Sequence, residues 1–248
     1  MKNMVHLPLK NAFNVRELGG YPTKDGQVTM YCSFLRGDDL SALDQQDIDF
    51  LLNYGLTSVV DLRSAAELDS HPDALAAVSP INYINIPLVG SDAVNPDLTK
   101  ARTILPEQFI MDFYLEILKS ATDAIKQVFE FMAAQEGCVL FHCAAGKDRT
   151  GIIAMLLLGL AGVSKPDIIA NYIVTEVYIK ENPILQQYQE DLPLELMQSK
   201  PKYIETMLDY ILSTFGSFEG YLMHINLTQE TLLLVKNKLV TESFQLQS

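Results

Sequence analysis

Cys143 and Arg149 stand six positions apart in the run His142-Cys143-Ala144-Ala145-Gly146-Lys147-Asp148-Arg149-Thr150-Gly151, with small or polar residues between them. An apolar stretch, Cys138-Val139-Leu140-Phe141, precedes this run, and a longer one, Ile152 to Leu160, follows it. The pattern predicts a strand, a short loop and the start of a helix. The N–H groups of such a loop and the positive end of the helix dipole converge on one point and form an anion cradle. A cysteine placed there can fall from a pKa of about 8.5 into a range of roughly 3.5–7.5, which makes it a thiolate at neutral pH. Arginine adds a planar fork that matches two oxygens of a phosphate. A sulfur nucleophile beneath a phosphate held by amides and a guanidinium is the apparatus for phosphoryl transfer through a cysteinyl-phosphate.

A Cys-x5-Arg spacing alone is a weak signal. Here it also follows a strand, has a small interior, ends in Arg-Thr-Gly and runs straight into a helix. The segment resembles the signature loop of cysteine-dependent protein tyrosine phosphatases, in the Gly-Lys-Asp-Arg-Thr-Gly form of a bacterial and fungal branch. Mycobacterial and Listeria enzymes of that branch act on phosphotyrosine, phosphoserine/threonine and phosphoinositides. Asn14-Val15-Arg16-Glu17-Leu18-Gly19-Gly20 stands where that family has Asn-x-Arg-Asp-Leu-Gly-Gly, and Arg36-Gly37 where it has Arg-Ser. Val59-Val60-Asp61-Leu62-Arg63, Glu67, His71-Pro72-Asp73 and the stretch from Phe215 to Leu222 extend the likeness over most of the chain. Glu17 and Gly37 depart from the family pattern. The resemblance implies a phosphatase-like α/β fold, a single domain over 1–248, and a phosphorylated protein or a phosphoinositide as substrate, with inorganic phosphate as product.

The residues of the run take the following expected roles. Cys143 is the nucleophile. Arg149 binds equatorial phosphoryl oxygens and stabilises the transition state. Ala144, Ala145, Gly146, Lys147, Thr150 and Gly151 line the bound phosphate, with Gly146 and Gly151 marking backbone that needs unusual angles or close approach. Thr150 has a hydroxyl for the sulfur, or is an ordinary first-turn residue. His142, one before the nucleophile, points to the other side of the strand and holds the loop. Lys147 is either a second cation at the rim, favouring inositol phosphates, or a solvated lysine. Three carboxylates compete for the general acid: Asp148 in the cradle, Asp61 at the end of a neighbouring strand, and Asp92, at the place where dual-specificity phosphatases carry theirs. Asp61 has the alternative of pairing with Arg63 or Arg36.

These side chains need elements to position them. Ser41 to Gly55 reads as a capped amphipathic helix. Thr57 to Leu62 reads as a buried strand, and Ile81 to Pro87 as a half-buried or edge strand. Pro106 to Gln135 has helical spacing, divided by a capping box from Ser120 to Asp123. Gly162 ends the helix after the signature loop, and Ser164 starts another that runs to about Lys180. Pro201 to Phe215 is helical again. The alternation predicts a central, mostly parallel sheet flanked by helices, with a further helical lid or C-terminal segment. Asp61 and Cys143 would then meet at the carboxyl edge of the sheet, where ligands bind. Residues 183–202 are the expected lid, or a surface helix pair.

The chain of 248 residues has 18 basic and 31 acidic side chains, a net charge of −13. That excess argues against nucleic acid or an anionic membrane as a standing partner. Three cysteines, Cys32, Cys138 and Cys143, are too few for a disulfide framework and suit a reducing compartment. Met1 to Lys10 lacks an apolar leader, and Ile152 to Val163 is too short to span a bilayer. A cytoplasmic location is expected, with leaderless secretion the alternative that the resemblance implies. His6, His71, His142 and His224 lack metal-ligand spacing, so no metal and no cofactor is expected. A non-catalytic phosphate-binding module and a sulfur transferase remain as competing readings.

Overall fold

The computed structural model describes residues 5–90, 106–180, 182 and 197–240. Five strands form one sheet: β1 (Arg16–Glu17), β2 (Phe34–Gly37), β3 (Leu56–Asp61), β4 (Asn82–Asn85) and β5 (Cys138–His142), in the spatial order β1-β2-β5-β3-β4. β1 runs antiparallel to β2, and every other pair is parallel, so the expected mostly parallel sheet is present. β5 is central and all its residues are buried, which suits its unbroken apolar composition. Successive side chains on a strand face opposite ways. Val139, Phe141 and Cys143 accordingly enter one core, while Cys138 and Leu140 enter the other, with His142 on their face.

The smaller core lies under α1 (Gln45–Tyr54) and joins Leu35, Val59 and Leu140 to Ile48 and Leu51. α1 starts after Asp44, whose carboxylate accepts the N–H groups of Gln46 and Asp47, and not at Ser41 as the sequence suggested. Gly55, with φ 106, closes it. α2 (Ala65–Ser70) follows β3 and carries a full capping box between Ser64 and Glu67.

The larger core holds the remaining helices. α3 (Pro106–Ser120) and α4 (Thr122–Ala134) divide at Ala121, as expected, but no capping box makes the break. Ser120 donates to Glu116 one turn back instead of capping α4. α5 (Asp148–Leu160) begins at the signature loop and is buried on nearly every side. Each fully buried Leu or Ile on it contributes about 1.5–3 kcal/mol. Gly162, φ 82, turns the chain out of α5. The single helix expected from Ser164 to Lys180 is two, α6 (Lys165–Ile173) and α7 (Thr175–Ile179), separated at Val174.

Three C-terminal helices, α8 (Pro201–Phe215), α9 (Phe218–His224) and α10 (Gln229–Leu239), cover α3, α4, α5 and α6. On α8 the buried residues Tyr203, Ile204, Met207, Leu208 and Ile211 recur at helical spacing and form its inner stripe. The expected C-terminal helical segment is therefore present. Residues 183–196, most of the expected lid, lie outside the described residues.

α9 approaches α5 through Gly159, where an added Cβ would lie 2.4 Å from the Phe218 ring. Gly159→Ala is expected to lower unfolding free energy by about 1–3 kcal/mol through overpacking. Urea denaturation measures the loss, and an unchanged midpoint would show that the α5–α9 contact yields freely.

Candidate active site

β5 delivers the chain to Cys143 beside the end of β2, with Gly37 opposite His142 in the parallel register. The loop that follows is tied from outside. The N–H of Asp39 donates to the Ala144 carbonyl at 3.0 Å. The Asn14 amide donates to the carbonyls of Ala145 at 3.0 Å and Gly146 at 3.3 Å. The Arg36 guanidinium donates to the Gly146 carbonyl at 2.7 Å. In a trans peptide the carbonyl and the next N–H point in opposite directions. Turning these three carbonyls outward therefore turns the N–H groups of Ala145, Gly146 and Lys147 inward. Among the described residues no protein acceptor takes them. Gly146 has φ 64, and a Cβ there would sit 2.6 Å from the Gly37 carbonyl, so only glycine fits. At Gly151 a Cβ would meet the Tyr172 ring at 3.2 Å, a close approach of α6 to the first turn of α5.

Cys143 is 2% exposed at the start of this loop. Arg149, in the first turn of α5, meets Glu67 fork to fork, with nitrogen–oxygen distances of 2.6 and 2.7 Å. Glu67 is in turn the capping-box residue of α2, and the Ser64 N–H and hydroxyl each reach it at 2.8 Å. Burial alone would raise the Glu67 carboxyl, but Arg149 and Ser64 outweigh it and hold it at about 2. Burial likewise opposes the Arg149 charge, and the Cys143 sulfur and Glu67 more than restore it. Glu67 thus fixes the direction of the guanidinium. Its role was not read from the sequence; the Ser64-x-x-Glu67 spacing signals the helix cap but not the pairing with Arg149. Asn14 was likewise noticed only as part of the family likeness, and Arg36 otherwise only as a partner for Asp61, which pairs with Arg63 instead.

Lys147 is 3% exposed, and its ammonium lies 2.8 Å from Asp148 and 3.5 Å from the Gln198 carbonyl. Burial would lower Lys147, and Asp148 outweighs that and raises it. This placement is neither a solvated rim lysine nor a free substrate-selecting cation. Asp148 also accepts the Tyr114 hydroxyl, itself 2.7 Å from the Tyr172 hydroxyl, and keeps its side chain 31% exposed at the mouth of the cradle. The Thr150 hydroxyl points to the Gly37 carbonyl, at 3.4 Å.

Asp61 does reach the same sheet edge as Cys143. In the β3–β5 register it lies opposite His142, so its side chain is on the His142 face and turned away from the sulfur. There it is fully buried, accepts Arg63 at 2.6–3.0 Å and the Tyr83 hydroxyl at 3.0 Å, and has a lowered pKa because His142 and Arg63 outweigh burial. Those surroundings suit a structural counter-ion, not a proton donor to a leaving group. Asp73 completes the cluster, 3.0 Å from His142 Nε2 but out of line for a hydrogen bond, so the contact is an ion pair. Burial would lower His142, and Asp61 and Asp73 together push it up to about 9. Asp61, Asp73 and His142 are close enough to share a metal ion, yet the Arg63 guanidinium, 2.6 Å from Asp61 and 3.7 Å from Asp73, already supplies the cation. Asp92 lies outside the described residues.

A family model described as "Tyrosine phosphatase family" matches residues 7–241. A protein named tyrosine-protein phosphatase from Nostoc commune is 36% identical over 220 residues, covering 84% of this chain and 74% of the relative. The triple specificity protein phosphatase PtpB of Mycobacterium tuberculosis is 24% identical over 268 residues, covering 90% of this chain and 95% of that protein. Among solved structures, P. aeruginosa TpbA is similar over 80% of this chain and 89% of its own, at 12% identity and a TM-score of 0.37.

Glu67→Gln keeps the shape but weakens the fork, and is expected to lower kcat about 100-fold by letting Arg149 swing. Steady-state kinetics on an aryl phosphate test this, and undiminished kcat would show that Arg149 is held otherwise. His142 has a folded pKa above its ordinary 6.5, so its contribution is complete below that pH and is lost as pH rises through about 9. Unfolding free energy is expected to fall by on the order of 3 kcal/mol across that window, and His142→Gln to flatten the slope. Equal slopes for the two proteins would remove His142 as the cause.

Proposed function

Because the chain belongs to the tyrosine phosphatase family, it is a cysteine-dependent hydrolase of phosphoric monoesters, and we propose that Cys143 is its nucleophile, Arg149 its phosphoryl clamp and Asp148 its general acid. One observation carries this reading: the carbonyls of Ala144, Ala145 and Gly146 are tied outward, which turns the N–H groups of the same peptides to the inner side of the loop. The equatorial oxygens of a phosphoryl group sit against those N–H groups and the edge of the Arg149 guanidinium that Glu67 leaves open. The thiolate attacks phosphorus in line, and the phosphorus–oxygen bond to the leaving group breaks as Asp148 delivers its proton. Water then gives a proton to the Asp148 carboxylate and attacks phosphorus, and the phosphorus–sulfur bond breaks to release inorganic phosphate and the thiolate. Donors fixed before the reaction stabilise the oxygen charge that develops in both steps.

The substrate proposed is phosphotyrosine in a protein, which accords with the printed names of the relatives. A phenoxide, with a parent pKa of about 10, also leaves more readily than an alkoxide. The phosphoinositide alternative relied on Lys147 as a free rim cation, and the pairing with Asp148 withdraws that support. No described helix is long and apolar enough to cross a membrane.

Cys143→Ser is expected to abolish turnover of p-nitrophenyl phosphate while calorimetry still detects inorganic phosphate binding; substantial residual turnover would refute the nucleophile. Asp148→Asn is expected to lose about 100- to 10,000-fold in kcat on phosphotyrosine peptide, together with the alkaline limb of the pH profile. Retention of that limb in Asp148→Asn and its loss in Asp92→Asn would transfer the acid to Asp92.

A further inference from the structure

Four cations surround the cradle, and two of them are already committed. Arg149 is paired with Glu67, and Lys147 with Asp148. Arg16 and Arg36 are different. Each is 1% exposed, and among the described residues neither has a carboxylate within ion-pair distance. Arg36 fills its fork with neutral acceptors, the Gly146 carbonyl at 2.7 Å and the Asn171 side-chain oxygen at 2.6 Å, and its Nε has no partner. Arg16 is bound to Asn14, to the Asn171 carbonyl and to the Thr175 hydroxyl, the last two at 2.8 Å, and its Nε is also unpartnered. An uncompensated buried charge is strongly unfavourable unless an anion answers it.

The sheet brings one ionisable group to the same face as Arg36. Arg36 lies opposite Phe141 in the β2–β5 register, so its side chain leaves the sheet on the face that Phe141 and Cys143 share. Its guanidinium comes within 3.7 Å of where a Cβ on Gly151 would stand, beneath the first turn of α5. The titratable groups near enough to act on its charge are Arg16 from β1, Tyr21, Tyr114 from α3, Tyr172 from α6 and Cys143 from the loop. Burial pulls Arg36 down to about 10, and the Cys143 sulfur leads the groups that oppose the fall.

We propose that Arg36 is the resident counter-charge of the Cys143 thiolate, a positioning residue that acts from behind the loop and never contacts the substrate. This rests on Cys143 being the nucleophile. When sulfur attacks, its charge passes to the phosphoryl group within the same loop, so the same fixed guanidinium serves the thiolate, the transition state and the cysteinyl-phosphate without moving. Through the Gly146 carbonyl it also holds the peptide whose N–H belongs to Lys147. One side chain thus joins the shape of the cradle to its charge.

The test is alkylation of Cys143 by iodoacetamide as a function of pH, followed both by peptide mass spectrometry and by loss of p-nitrophenyl phosphate turnover. In the unmodified sequence the label at Cys143 and the loss of turnover should advance together; divergence there refutes the nucleophile and leaves Arg36 without a thiolate to serve. Arg36→Gln should move the midpoint of the alkylation profile upward by about one unit or more. Arg36→Lys keeps the charge and Asn14→Ala loosens the loop with the charge in place, so each should lower kcat and move the midpoint less than Arg36→Gln does. A folded Arg36→Gln protein with an unmoved midpoint overturns the proposal. Where Arg36→Gln does not fold, Arg36→Lys decides: a native circular dichroism spectrum with the midpoint displaced upward by about a unit overturns it.

Discussion

The outward anchoring of three carbonyls is the constraint on which the rest of this molecule depends. A backbone loop left to itself has no reason to present several amides to one point, because its carbonyls would compete for the same space. Here Asn14, Arg36 and the Asp39 N–H take those carbonyls from behind, and planar peptides do the rest. All three partners come from residues 14–39, more than a hundred positions before the loop in the sequence. The strand order explains how they get there: β2 is hydrogen-bonded directly to β5, and β1 lies just beyond it. Asn14 is held in turn, because Asp38 accepts its backbone N–H at 2.9 Å and Arg16 binds its side chain.

Charge is arranged on the same plan. A chain of net charge −13 repels a phosphate dianion at long range, so attraction has to be local and shielded from the acidic surface. Glu67 neutralises Arg149 in the resting state and sets its direction, and the Asp148 carboxyl holds the Lys147 ammonium in place. Arg16 and Arg36 remain buried with neutral hydrogen-bond acceptors. On the opposite face of β5, Arg63, His142, Asp61 and Asp73 form a separate buried cluster, which ties β3, β5 and the segment after α2 together. The sheet separates this structural cluster from the face that carries Cys143 and Arg36.

The sequence disclosed what is contiguous. Cys143, Arg149 and the strand-loop-helix around them are local in the chain, and so are the α8 stripe and the closing Gly55. Partnerships between distant segments were hidden. Nothing local to Glu67 says that its carboxylate meets Arg149, and Asn171 carried no signal at all. For Asp61 the pairing with Arg63 is the alternative that the structure holds, because being at the right edge says nothing about the face, which the register with His142 decides. Lys147 was misjudged because a lysine in a polar run looks exposed until Asp148, Tyr172 and Tyr203 enclose it. At Ser41 and Ser120 a capping residue type was present, but Asp44 at the first site and Glu116 at the second formed the competing bond.

The cysteines have a consequence for redox chemistry. Cys138 and Cys143 sit at opposite ends of β5 and on opposite faces, roughly 16 Å apart at strand spacing. Cys32, two residues before β2, lies near the Cys138 end, because β2 and β5 run in parallel. A disulfide needs Cα atoms closer than about 7 Å. Peroxide arriving at Cys143 therefore meets a sulfur with no thiol of its own chain to capture the sulfenic acid. Rescue falls to a neighbouring main-chain nitrogen or to small thiols from solution, and prolonged oxidant leads on toward the irreversible acids.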